Sequence, residues 1–107
     1  MDVRIARFEG FQPGGIDRQP EELQAALDRA RAGRTPEAPF RSLAEHTTRV
    51  VAVASRTDGV ILDLVFTETE DELQAVHDAL DAMSLASSAG QRVSVERDEV
   101  LADETLR

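Results

Sequence analysis

The segment from Asp58 to Met83, DGVILDLVFTETEDELQAVHDALDAM, restricts the fold of this chain more than any other. Its first dipeptide, Asp58-Gly59, suits a hairpin turn, because glycine reaches positive φ without steric cost. Val60 to Phe66 is β-branched, aliphatic and aromatic, and too short for a buried helix, so it reads as a strand. Thr67-Glu68-Thr69-Glu70-Asp71-Glu72 then carries two overlapping capping boxes, Thr69 with Glu72 and Thr67 with Glu70. The acidic residues also suit the positive end of a helix dipole. Leu73, Val76, Leu80 and Met83 recur at helical spacing and give that helix one apolar face. A strand therefore runs straight into a helix.

The remaining chain supplies matching pieces. Val3 to Phe8 reads as a strand with Val3, Ile5 and Arg7 on one face and Arg4, Ala6 and Phe8 on the other. Gly10 and Gln12-Pro13-Gly14-Gly15 are expected to end it. Pro20, Glu21 and Glu22 suit a helix start, Leu23, Ala26, Leu27 and Ala30 form a narrow stripe, and Gly33 offers a C-terminal cap. Arg34 to Thr48 is compatible with a short helix or an ordered loop. Val50 to Ala54 is a second strand, and the short turn Ser55 to Gly59 makes it an antiparallel partner of Val60 to Phe66. Ser87 to Gly90 reads as a loop and Arg92 to Val100 as a fourth strand. Residues 1–101 are expected to form one domain, with 102–107 as a loose tail.

The order β-α-β-β-α-β predicts an α+β, ferredoxin-like fold, a four-stranded antiparallel sheet with both helices on one face. Strand two is apolar on both faces. Strand three has Ile61 and Val65 on one side and Val60, Leu62, Leu64 and Phe66 on the other. Helices on one side cannot bury both. A second copy of the chain, sheet against sheet, is the expected cover, so a homodimer is predicted.

Composition removes several function classes. A formal net charge of −9 disfavours nucleic acid and anionic membrane surfaces as partners. Cysteine is absent, which excludes disulfides and thiolate metal sites. No run approaches the roughly 20 apolar residues of a membrane span. Met1-Asp2-Val3-Arg4 lacks the apolar core of a signal peptide, and a cytoplasmic location is expected. No metal is expected, since the two histidines show no ligand spacing and the acidic run 68–72 lacks a calcium loop. Neither a dinucleotide fingerprint nor a nucleophile elbow occurs, so no cofactor is expected.

Phe8-Glu9-Gly10, the passage Leu64-Val65-Phe66-Thr67-Glu68-Thr69-Glu70, Ala79 to Ser84 and Arg92 to Arg97 together make the chain resemble a known group. It is similar to small bacterial proteins of the dimeric α+β barrel superfamily, near the antibiotic-biosynthesis-monooxygenase-like branch. The resemblance implies two ferredoxin-like sheets face to face and a cavity against the sheet in each protomer. Relatives often carry Trp where Phe66 stands. Oxygenases of this kind use Asn and Trp, and the haem-degrading ones an Asn-Trp-His set. This chain has neither Asn nor Trp.

Asp63 is the most informative candidate, because it interrupts an apolar strand on the face of Ile61 and Val65. If the helices cover the Leu62, Leu64 and Phe66 face, Asp63 points into the dimer cavity. A buried carboxylate needs a partner, and Arg4 or Arg7 on the neighbouring strand is the expected one. Ser94 is a further polar residue in an alternating strand. His46 lies in the connection 34–48, where loops carry function, and His77 borders the apolar stripe of its helix. The leading expectation is a small, mainly apolar ligand held by Asp63, Arg7, Arg4, His46 and Ser94. Rival readings are a cofactor-independent monooxygenase or isomerase, and a structural or regulatory dimerisation module with a filled cavity.

Overall fold

The computed structural model describes residues 1–32, 38–82 and 90–106. Four strands form one sheet: β1 (Asp2–Glu9), β2 (Arg49–Ser55), β3 (Val60–Thr67) and β4 (Gln91–Glu99), in the spatial order β2-β3-β1-β4. Every neighbouring pair is antiparallel. The helices are α1 (Pro13–Ala32), α2 (Ala38–His46) and α3 (Glu70–Ala82). This is the expected ferredoxin-like arrangement with one more helix, α2, in the connection that the sequence left open.

The ladder register assigns every strand residue to a face. Arg4 pairs with Val65, Ala6 with Asp63, and Phe8 with Ile61, while Val50 and Ala52 of β2 oppose Val65 and Asp63. This face carries the helices. One core cluster joins Ala6, Phe8, Phe11, Ile61 and Ile16 of α1, with Val95 packed beside it. A second joins Val65 to Val76 and Leu80 of α3, with Leu43 of α2 and Val50 against it. The opposite face carries Val3 and Val60, both buried, with Ile5, Leu62, Leu64, Phe66, Val51 and Val53, and among the described residues no helix is packed on it. The helices thus chose the Ile61 and Val65 side, which overturns the arrangement in which Asp63 would face the dimer cavity.

Local chemistry explains the element ends. Thr69 caps α3: its hydroxyl oxygen accepts from the Glu72 amide at 3.2 Å. The Thr69 hydroxyl also lies 3.2 Å from the Glu72 carboxylate. Of the two overlapping boxes, the Thr69–Glu72 one is used, and α3 begins at Glu70. Helix α1 begins at Pro13 rather than Pro20, which corrects the reading of 12–15 as a loop. Pro13 takes a first-turn position where its missing N–H costs nothing. The Gly15 and Ile16 amides bond the Gln12 carbonyl at 2.9 and 3.1 Å. Burying Ile16 in the sheet-side core draws this extra turn into the helix, and Pro20 is carried as an interior residue.

Phe11 explains one glycine. Its amide donates to the Gly59 carbonyl at 3.0 Å. Gly59 has φ 66°, and a Cβ there would stand 2.6 Å from the Phe11 carbonyl oxygen. The hairpin turn therefore needs glycine for its conformation and for the approach of Phe11. The expected Gly33 cap, the Met83 end of the apolar stripe and the loop 87–89 lie outside the described residues. Beyond β4 the Val100 amide bonds the Met1 carbonyl at 2.9 Å, and residues 101–106 are exposed without regular structure.

Two substitutions test this packing. Leu80→Ala should destabilise by about 2–5 kcal/mol through a core cavity. Thr69→Ala should cost about 1 kcal/mol through the lost cap. Urea unfolding followed by circular dichroism ranks them, and the cap change must be the milder.

Candidate functional site

The helix-side face of β1 and β4 is unusually polar. Arg4 is 4 % exposed, held under α3 by two groups of that helix. Its Nε donates to His77 Nδ1 at 3.2 Å, and a terminal nitrogen donates to Asp81 Oδ1 at 3.3 Å. His77 Nε2 lies 3.1 Å from Asp81 Oδ2, and Arg92 of β4 reaches Asp81 Oδ1 at 2.8 Å. The network fixes the histidine tautomer: Nδ1 accepts from a group that only donates, so the ring proton resides on Nε2 and goes to Asp81. Arg97 adds a hydrogen bond to Gln74. Helix α3 is thus tied to β1 and β4 by three arginines.

The charges respond to these surroundings. Burial pulls the Arg4 guanidinium below its ordinary value, opposed by Asp81, and Arg92 adds to the lowering. For Asp81, partial burial acts to raise its value. The hydrogen bond from Arg92, the adjacent His77 N–H and the charges of Arg92 and Arg4 outweigh it, and the carboxyl is held below the usual range. Asp63 behaves oppositely. Burial raises its value, and attraction to Arg4 offsets this only in part.

Asp63 stands apart in contacts as well. It is half-buried between Ile61 and Val65, on the seam of the two core clusters. Its cross-strand neighbours are the small residues Ala6, which is buried, and Ala52, which is exposed. Among the described residues no hydrogen bond or close ion pair reaches it. Ala52 and Ala54 are exposed on this same face, so the β2 side of Asp63 is thinly covered.

The other expected residues do not join this group. Arg7 lies on the opposite face and pairs with Glu9 at 2.7 Å, so it is no partner for Asp63. Ser94, opposite Arg7, shares that open face. Arg7 lines a shallow depression there of about 160 Å³ with Val53, Ala54, Ser55, Asp58, Val60 and Leu62. That is smaller than the roughly 300–1,000 Å³ of ordinary ligand pockets. His46 ends α2, with Nδ1 3.3 Å from Glu72 Oε2 and Nε2 3.9 Å from Glu45, and ties α2 to the start of α3. Of the five expected residues, only Arg4 and Asp63 share the helix-covered face, and the expected ion pair between them is not formed because Arg4 is engaged by His77 and Asp81. His77, Asp81 and Arg92 were missed as a set. The four-residue step from His77 to Asp81 along one helix was the signal available for part of it. Among the described residues no cluster of three or more ligating side chains suits a metal ion.

No family model matches this chain, and no curated protein sequence does. Similar solved structures exist. A dimeric ferredoxin-like protein from an uncultured marine organism superposes with TM-score 0.60 at 12% identity, covering 97% of each chain. The Mycobacterium tuberculosis protein Rv0793 superposes with TM-score 0.54 at 14% identity, covering 98% of this chain and 100% of its own. At such identities the likeness establishes the fold.

Asp63 yields a pH prediction. Its value is raised in the folded state, so over the range above its ordinary 3.8 the folded chain holds a proton that the unfolded chain has released. Stability from this group therefore falls as pH rises through that window, and the cost persists above it. Asp63→Asn should raise the melting temperature at pH 7.5, with the gain shrinking as the pH approaches 3.8. Scanning calorimetry of both proteins across this range measures it. Combined with Arg7→Leu, the two effects should add, since the residues face opposite sides of the sheet.

Proposed function

We propose that this chain forms a homodimer of the α+β barrel type and holds a small, mainly apolar molecule against the helix-covered face of the sheet. The observation that carries the ligand reading is Asp63, a half-buried carboxylate without a hydrogen-bond partner among the described residues. Such a group costs free energy while unpaired and regains it when a ligand donates to it. The flanking alanines are small, and Ile61 and Val65 suit an apolar body. Arg4 stands behind Asp63 as a fixed cation, already engaged by His77 and Asp81.

The homodimer rests on the other face. Ile5, Leu64, Phe66 and Val51, all partly exposed, adjoin one another there beside the buried Val3, and among the described residues no helix covers them. A second copy buries them by the same residues on both sides, as a two-fold interface requires. The dimeric description of the marine ferredoxin-like protein, which shares this fold, supports the assignment.

A second reading is favoured by the raised value of Asp63. A carboxyl shifted toward neutrality among apolar neighbours suits proton transfer, as in a cofactor-independent oxygenase or isomerase. The likeness to the antibiotic-biosynthesis-monooxygenase branch belongs to this reading. Asp63 would then act alone, without the Asn and Trp of such enzymes.

Native mass spectrometry of freshly purified protein tests both parts. Wild type should appear as a dimer with a co-purifying small molecule. Asp63→Asn should remain a dimer and lose that molecule. Leu64→Glu should give a folded monomer by light scattering and circular dichroism. An unliganded wild type that retains no small apolar amine or alcohol from a test panel would refute the binding reading.

A further inference from the structure

The register places oppositely charged residues at the two ends of one cross-strand row on the open face. Asp98 pairs with Val3, Val3 with Phe66, and Phe66 with Arg49. The row therefore reads Asp98–Val3–Phe66–Arg49 from the β4 edge to the β2 edge. The next row pointing the same way is Glu96–Ile5–Leu64–Val51, and the third is Ser94–Arg7–Leu62–Val53. In the first two rows acid stands only at the β4 edge and Arg49 at the β2 edge, while farther along the inner strand β1 Arg7 and Glu9 pair with each other. Both Asp98 and Arg49 are exposed. Arg49 lies over the Phe66 ring, 5.8 Å from its centroid. Among the described residues neither one has an ion-pair partner within the chain.

This layout is self-complementary for one direction of two-fold axis and not for the other. An axis parallel to the strands, passing between β1 and β3, maps each row onto itself in reverse. Asp98 then stands across from the partner's Arg49, twice by symmetry, while Val3 meets the partner's Phe66 and Ile5 the partner's Leu64. An in-plane axis across the strands instead maps β4 onto β4. Passing through the first row, it would set Asp98 against Asp98 and Arg49 against Arg49, and through the second it would set Glu96 against its own copy and leave Arg49 over Val53. Like charges facing across an interface are unfavourable, and complementary ones fix register. Packed sheets lie about 10 Å apart, a gap that an arginine and an aspartate reaching toward each other can bridge.

We propose that Asp98 and Arg49 select the register of the homodimer, with the two-fold axis along the strands. The inference rests on the homodimer proposed above and adds its geometry and its source of partner specificity. An edge charge pair is screened and solvent-accessible, so its role is discrimination between registers more than raw affinity.

A charge exchange tests it. D98R alone sets arginine against the partner's Arg49, and R49D alone sets aspartate against the partner's Asp98. Each should weaken its homodimer about tenfold or more in Kd. Mixing the two variants creates two opposite-charge pairs, so native mass spectrometry should show heterodimer above the share expected from random pairing. The D98R/R49D double variant should regain a homodimer, which an unfolded variant could not do. The heterodimer excess should also shrink as salt is raised. Random pairing in the mixture, with wild type still dimeric, overturns the register while leaving the homodimer intact. A monomeric wild type overturns both.

Discussion

A sheet has two faces, and in this chain the three described helices lie on one. The consequence is an inversion of what a solitary two-layer protein would show. The helix-side face holds Arg4, Asp63, Arg92 and Arg97 among its apolar residues, whereas the inner strands of the open face carry Val3, Ile5, Leu62, Leu64 and Phe66 with Arg7 and Glu9 at one end. Apolar area left in water contributes nothing to folding, while the same area covered by another molecule is worth about 25 cal/mol per Å². The proposed assembly, the register of its halves and the placement of polar groups under the helices all descend from this single-sided cover.

Beneath α3, a charged network lies beside the apolar packing of Val76 and Leu80. Arg4 is buried, and a buried cation is tolerable only with close partners. His77 and Asp81, one helical turn apart, provide them from a single helix, and Arg92 supports Asp81 from β4. This arrangement orients α3 over β1 and β4 as specifically as a core contact would. It also leaves Asp63 outside the network. Arg4 attracts it at a distance without bonding it, and desolvation wins. That imbalance separates a satisfied structural ion network from an unsatisfied group suited to a ligand.

The two core clusters meet at Asp63 and reach different elements. Ile16 and Phe11 bind the start of α1 and the β2–β3 turn to Phe8 and Ile61. Val76, Leu80 and Leu43 bind α3 and α2 to Val65. Past Ile16, α1 packs chiefly against α2, while α2 packs on α3. This relayed packing is consistent with the exposure of Ala52 and Ala54 on the helix side of β2. The carboxylate that breaks the apolar pattern of β3 thus lies beside the part of the sheet that the helices cover least.

Local patterns in the sequence determined the four strands, the antiparallel hairpin at Gly59, the capped start at Thr69 and the ferredoxin-like order, because turn chemistry, capping and period-two alternation act over a few residues. They also marked Asp63 as an interruption and the sheet as needing cover on both sides. The tertiary structure decided what those patterns leave free. Both faces of β3 are apolar enough to receive helices, and only the joint packing of Ile16, Leu43, Val76 and Leu80 selected the Ile61 and Val65 side. That choice moved Asp63 beneath the helices, separated it from Arg7, and brought Arg4 to His77 and Asp81. Burial of Ile16 extended α1 back to Pro13 against the local preference for a loop. Contacts between residues more than seventy positions apart, such as Arg4 with His77, carry no signature in either segment alone, since each is an ordinary polar residue until the fold places them 3.2 Å apart.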